Sequence, residues 1–265
     1  MQKNRVCSWA IGAAIAALVM GFVLAGCASK PVAVEAGGAA SKADKAGYAS
    51  SGLVGKWLSL STGYVDELIL SEDESGSSTL FKGSGAAERT LKLTFNPKSD
   101  SFSMEVPGTA KKAPVKYARS EDGTRLTVYF METQEVVYAK EEQVIKEVSE
   151  GEDLTSILRL GNYYSVAGDA KCVALFTEAV KRGSPDGNLN LGNHYYNTDK
   201  AKAFEYYLAA AEQGMPQAEF NVFVFYLNGE GGIAKDEAKA VDWLLKADEH
   251  GSADADRVMK QFGFK

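Results

Sequence analysis

A chain of two domains of different class is what this 265-residue sequence predicts. The first is a small antiparallel β-barrel or sandwich of about eight strands and the second an all-α helical-repeat solenoid, so the fold class is α+β multidomain. Two observations carry that reading. From Gly52 to about Lys140 apolar and polar residues alternate with period two, whereas beyond Asp153 one short pattern returns three times at helical spacing. A third observation, an apolar run near the N-terminus, concerns location rather than fold.

In chain order, Lys3 and Arg5 lead an apolar run from Trp9 to Ala25 that closes on Leu24-Ala25-Gly26-Cys27. A basic start, an apolar stretch and small residues at a cleavage site make residues 1–26 a secretory signal. The other reading is an uncleaved anchor, although the run is barely long enough to span a bilayer. Leu24-Ala25-Gly26-Cys27 resembles the bacterial lipobox. That resemblance implies cleavage before Cys27, a diacylglycerol thioether on its sulfur and acylation of the new amino group. More than one acyl chain anchors stably where a single chain is marginal, so the expectation is a membrane-anchored lipoprotein of the bacterial cell envelope. Ala28 stands where an aspartate would signal inner-membrane retention, which favours the outer membrane. Residues 27–50 then form a tether rich in Ala, Gly, Ser and Lys. A flexible segment of that length spans roughly 25 Å.

Of the three cysteines, Cys7 leaves with the signal and Cys27 carries lipid, so Cys172 stands alone and no intramolecular disulfide is expected. Cys172 takes the place of Ala203 and Ala240 in the repeat pattern, which suits a small buried thiol better than a reactive one. Removal of Lys3 and Arg5 takes 29 basic residues to 27 against 35 acidic ones, a net charge of −8. An acidic chain does not bind nucleic acid by neutralising phosphates.

Residues 51–142 make the β-domain. Leu68/Leu70, Leu91/Leu93/Phe95, Phe102/Met104/Val106, Val115/Tyr117 and Leu126/Val128/Phe130 alternate with polar residues as half-buried strands do. Turn signals separate them at Glu74-Ser75-Gly76, Asn96 to Asp100, Pro107-Gly108 and Glu121-Asp122-Gly123. The opening Gly55-Lys56-Trp57 resembles the Gly-x-Trp start of lipocalin-like domains. Trp57 either plugs one end of such a barrel or lines a ligand cavity. Phe95, Phe102, Met104 and Phe130 are large enough to fill the interior, and an eight-stranded barrel is either packed or holds one small ligand.

Residues 143–152 are expected to be an acidic linker or a charged helical lead-in, since Glu141 to Asp153 carries six acidic residues and one lysine. Ser149-x-x-Glu152 fits a capping box for a helix starting near there. A cation site is the sharper reading of the same charges and a solvated charge run the plainer one.

Residues 153–265 hold the recurring pattern: Lys171-Cys172 with Phe176, Ala179 and Gly183; Lys202-Ala203 with Tyr207, Ala210 and Gly214; Lys239-Ala240 with Leu244, Ala247 and Gly251. The glycines are 31 and 37 residues apart, the period of stacked helix pairs. Leu160-Gly161-Asn162 with Tyr164, and Leu191-Gly192-Asn193 with Tyr195, mark the first helix of two of the pairs. Gly183, Gly214 and Gly251 read as C-caps, and Pro185 and Pro216 as openers of the next helix. At these residues the chain resembles the Sel-one-like repeat family, a relative of the tetratricopeptide repeats, as three repeats and a closing helix. It departs from that family at Phe223, which stands where the tight-packing glycine belongs. The consecutive Phe223, Val224 and Phe225 cannot share one seam. Val258, Met259 and Phe262 are expected to cap the array.

No catalytic residue, metal cluster or cofactor site is legible. The two histidines, His194 and His250, are not spaced with Cys172 as zinc ligands or a Cys/His nucleophile, and there is no Gly-x-Ser-x-Gly elbow. Gly229-Glu230-Gly231-Gly232 lacks the strand before it and the Lys-Ser/Thr after it that a phosphate cradle needs, so it reads as an inter-helix turn. Carboxylates that meet only in space escape such a search, so an envelope enzyme stays as one alternative. The other is a small-molecule carrier or sensor acting through the β-domain. The leading expectation is a non-enzymatic adaptor that binds a protein or peptide in the envelope.

At 100° per residue, one arc of each first helix presents Leu158 and Asn162, then Leu189, Asn193 and Tyr196, then Phe220 and Val224. Related repeats line their groove with this arc, and their asparagines after the glycine often bond a peptide. The resemblance therefore implies a groove in which Asn162 and Asn193 hold a peptide backbone, and their joint loss is expected to weaken capture without changing melting.

Overall fold

The computed structural model describes residues 52–61, 63–96, 101–105, 109–130 and 134–264. The signal 1–26, Cys27, the tether and Val106 lie outside the described residues. Those up to Leu175 form one compact unit and those from Phe176 onward another.

Eight strands wind in chain order into a closed antiparallel barrel: β1 (Gly55–Ser61), β2 (Tyr64–Leu70), β3 (Ser75–Lys82), β4 (Ala87–Asn96), β5 (Ser101–Glu105), β6 (Lys112–Arg119), β7 (Arg125–Phe130) and β8 (Gln134–Lys140). Strand β8 closes on β1 through Trp57↔Lys140 and Leu58↔Ala139. Closure leaves no edge to aggregate. The period-two residues behave as expected: Leu68, Leu70, Leu91, Leu93, Phe95, Phe102, Met104, Val115, Leu126, Val128 and Phe130 gather with Trp57 and Tyr138 in one buried cluster. Trp57 is fully buried, donates from Nε1 to the carbonyl of Leu53 at 2.8 Å, and has the Lys140 ammonium 3.9 Å from its ring centroid. It belongs to the buried cluster that occupies the barrel interior. Among these apolar groups sits one carboxylate, Asp66, which accepts from the Ser78 hydroxyl at 3.0 Å beside Tyr138. Burial holds the Asp66 carboxyl above its usual range, against the pull of the Ser78 and Tyr138 hydroxyls.

Among the described residues eight helices follow: α1 (Glu141–Glu150), α2 (Leu154–Val166), α3 (Lys171–Lys181), α4 (Pro185–Tyr195), α5 (Lys200–Ala211), α6 (Pro216–Asn228), α7 (Glu237–Glu249) and α8 (Ala253–Gln261). Of the two readings of the acidic stretch, the helical lead-in is the one observed: it is helix α1, with Val144 and Val148 buried and Glu141 on the same side. Ser149 lies in the last turn of α1, and the N-cap of α2 is Asp153, whose carboxylate accepts from the Thr155 amide.

Helix α2 docks on the barrel. Arg159 donates to the carbonyl of Ser61 at 2.8 Å, the Tyr163 hydroxyl donates to Glu67, and the Tyr163 ring meets Phe81 edge-on at 5.0 Å. Lys56 bridges Glu67 at 3.0 Å and Glu141 at 3.1 Å. The Tyr164 hydroxyl donates to Glu141 at 2.9 Å. The compact unit that holds the barrel thus extends through α2 into α3, past the boundary near residue 153 that the acidic stretch suggested.

In the second unit the pairs α4–α5 and α6–α7 stack, and α8 covers the last. Ser184 and Ser252 cap α4 and α8 by accepting from the amides of Gly187 and Ala255. Gly183, Gly214 and Gly251 all adopt positive φ, as C-cap glycines should. The Phe223-Val224-Phe225 run resolves because α6 lies between two neighbours. Phe223 packs with Ala240, Leu244, Ala247 and Met259, whereas Phe225 packs with Phe204, Tyr207 and Ala218. Met259 is buried in the first of these clusters with Val258 and Phe262 against it, which is the capping role expected of α8.

Candidate functional site

The repeat lysines have a structural purpose that spacing alone does not reveal. Lys171 lies 5.1 Å from the ring of Tyr164, Lys202 lies 3.8 Å from that of Tyr195, and Lys239 lies 5.2 Å from that of Tyr226. In each pair the lysine opening the second helix covers the tyrosine near the end of the first, a cation–π contact worth about 0.5–1 kcal/mol at such exposed sites. Cys172, beside the first of these lysines, is buried, and burial pushes its thiol up, the direction of an unreactive cysteine.

Between α4, α5 and α6 lies a cavity of about 160 Å³ lined by Tyr196, Tyr207, Asn221, Val224 and Phe225. Tyr196 follows the last residue of α4, Tyr207 comes from α5 and the other three from α6. Gly192 brings the wall in, because a Cβ there would stand 2.5 Å from the ring of Tyr207. Next to it, the Asn193 Oδ1 accepts from the Tyr207 hydroxyl at 2.8 Å. The Gly192-Asn193 pair thus positions Tyr207. Burial raises the Tyr207 phenol, so it stays protonated and serves as the donor of that bond. Asn221 is half-buried in the wall, and its amide has no hydrogen-bond partner among the described residues. The ammonium of Lys200 stands 5.3 Å from the Tyr196 ring and bonds Glu230, so this cation is already paired.

Of the seven residues the helical arc put forward, Tyr196 and Val224 line this cavity. Asn193 supports its wall, Leu189 is buried in the apolar cluster behind it, and Phe220 packs in the cluster with α7 and α8. Leu158 and Asn162 belong to the barrel unit. Asn162 is not a groove amide free for a peptide: its Nδ2 donates to the carbonyl of Gly83 in the β3–β4 turn at 3.0 Å. The two asparagines are structurally engaged, so their loss is not neutral for stability. Asn162→Ala should lower the stability of the barrel unit by about 0.5–1.5 kcal/mol, measured by urea unfolding. Tyr207, Asn221 and Phe225 escaped the sequence reading, because the first comes from a second helix and the others lie off the chosen arc. Trp57 belongs to the barrel core.

The fold and this cavity define a class: a closed eight-stranded β-barrel followed by α-helical repeats that stack in pairs. The Sel1 repeat model matches residues 185–215 and 216–252, and each matched span is one helix pair, α4–α5 and α6–α7. The earlier pair α2–α3 lies outside the matched spans. No curated protein matches the chain. Among solved structures, the chain is similar to a Sel1 repeat protein from Oxalobacter formigenes, at 26% identity over 39% of this chain and 46% of that one, with a TM-score of 0.36. It is also similar to a protective antigen present in uropathogenic Escherichia coli strains displaying an SLR fold, at 29% identity over 44% of this chain and 27% of that one, with a TM-score of 0.40. The chain thus spans less than half of either protein.

Proposed function

We propose that this chain is a lipid-anchored envelope protein that acts without catalysis, holding a protein or peptide partner on its C-terminal helical repeats. The observation that carries the reading is the open cavity between successive helix pairs, with aromatic walls and an Asn221 amide that has no partner among the described residues. Stacked repeats cooperate to present such surfaces and serve recognition far more often than chemistry. The carrier reading has less behind it, since the barrel interior is occupied by Trp57, Phe95, Phe102, Met104, Phe130 and Tyr138. Anchoring rests on the sequence Leu24-Ala25-Gly26-Cys27. In bacterial cells, Cys27→Ser should abolish incorporation of labelled palmitate and move the protein out of the membrane fraction. Crosslinking from native envelopes tests the adaptor role. One specific partner should be captured by the wild-type chain and reduced about tenfold by Tyr196→Ala with Asn221→Ala, while the melting of the barrel unit stays the same. Equal capture by both forms would refute the assignment of the cavity to partner binding.

A further inference from the structure

Resting on that adaptor reading, we propose that the cavity between α4, α5 and α6 takes one uncharged apolar side chain of about the size of a benzene ring, presented by an extended peptide segment whose backbone is held by Asn221. Size is the first argument. An apolar cavity of about 150 Å³ accepts benzene, and this one measures about 160 Å³. It therefore holds a phenylalanine or leucine side chain and is underfilled by alanine. Charge is the second. Tyr196, Tyr207, Asn221, Val224 and Phe225 are all neutral, and the nearby Lys200 is already committed to Glu230. A carboxylate or ammonium entering this space would lose part of its hydration without gaining a counter-charge, which disfavours it against an uncharged group. Hydrogen bonding is the third argument. The Tyr207 hydroxyl is satisfied by Asn193, so that wall asks nothing of a ligand. The Asn221 amide has both a donor and an acceptor unused among the described residues. A peptide unit offers the complementary pair, one N–H and one C=O, whereas a bare hydrocarbon would cover that amide and leave it unsatisfied. An apolar anchor flanked by backbone is thus the chemistry that fits every wall of the cavity.

The test uses the full chain, with capped tripeptides Gly-Xaa-Gly in which Xaa is Phe, Leu, Ala or Asp, followed by NMR at the Asn221 side-chain amide and the Tyr196 and Tyr207 rings. The Phe and Leu peptides should shift these resonances saturably, while Ala and Asp leave them unmoved. Asn221→Ala should weaken the Phe peptide about five- to tenfold. Val224→Trp should fill the space and abolish the shifts. If that variant proves unstable, Asn221→Ala still decides. Binding of the Asp peptide as tight as that of the Phe peptide would overturn the proposal. So would toluene binding as tightly as the Phe peptide and indifferent to Asn221→Ala, since that is a small-molecule site. Absence of any shift, with envelope capture still sensitive to Tyr196→Ala, would sink the anchor chemistry and leave the adaptor reading standing; loss of both would sink the two together.

Discussion

Trp57→Ala should destabilise the barrel unit by about 3–5 kcal/mol, the usual cost of emptying a core site of an indole. The residue is fully buried at the head of β1, one partner in the Trp57↔Lys140 pairing that closes the barrel. Three interactions go at once: apolar contacts with the interior cluster, the 2.8 Å bond from Nε1 to Leu53, and the cover that the ring gives to the Lys140 ammonium. Lys140 also donates to the carbonyl of Val54 at 3.3 Å, so the segment before β1 is pinned to the barrel end by both side chains. Trp57→Phe separates the contributions. It keeps most of the packing and loses the Nε1 donor, leaving the buried Leu53 carbonyl without that bond, and should cost about 1–3 kcal/mol. Urea unfolding followed at the barrel aromatics checks both. A Trp57→Ala barrel as stable as the wild type would mean that the end of the barrel is an open mouth and would return the carrier reading to first place. Because the second compact unit begins only at Phe176, the α4–α8 array should keep its own unfolding transition in either variant.

Much of this architecture is written locally. Alternation at period two names the interior of the barrel because side chains in a strand have no other way to divide between core and solvent. Gly183, Gly214 and Gly251 name helix ends because each must reach positive φ, and all three do. What is not local is what a helix face meets. Asn162 and Asn193 hold the same position in their repeats, yet one bonds the barrel and the other a tyrosine. The difference lies elsewhere in the chain. Tyr207 offers Asn193 a hydroxyl, whereas the matching position in the earlier repeat is Phe176, which has none to give. The repeat lysines were visible as a pattern but not as a contact. Tyr164 to Lys171 and Tyr195 to Lys202 are seven residues apart, whereas the Gly229 to Gly232 turn stretches Tyr226 to Lys239 to thirteen. That longer turn has its own steric requirement: a Cβ on Gly231, at φ 63°, would stand 2.8 Å from the backbone of Lys200. Cavity walls drawn from three helices are likewise invisible to an arc drawn on one.

His250→Ala should destabilise the helical unit by about 2 kcal/mol through the residue it abandons. Glu219 on α6 is 1% exposed, and His250 Nδ1 stands 2.8 and 2.9 Å from its two carboxylate oxygens. That nitrogen is the donor, because the carboxylate can only accept. Breaking a fully buried pair by removing one partner costs about 3–5 kcal/mol, and the figure is reduced here because the His250 side chain is 44% exposed and water follows it in. Glu219 also lies in the first turn of α6, where the helix dipole favours negative charge and softens the loss. The pair ties the start of α6 to the end of α7, and Gly214, ending the previous repeat, leaves room for the imidazole: a Cβ there would lie 3.8 Å from His250 Cε1. Glu219→Gln removes the charge while keeping an acceptor for Nδ1, so it should change stability by less than about 1 kcal/mol. In the double variant, loss of His250 then leaves a neutral amide instead of a carboxylate, and the penalty should fall to about 1 kcal/mol. Equilibrium unfolding of the four proteins of that cycle gives the answer directly. An equal penalty for His250→Ala on both backgrounds would show that His250 acts by packing at the repeat junction and that the buried charge of Glu219 needs no partner.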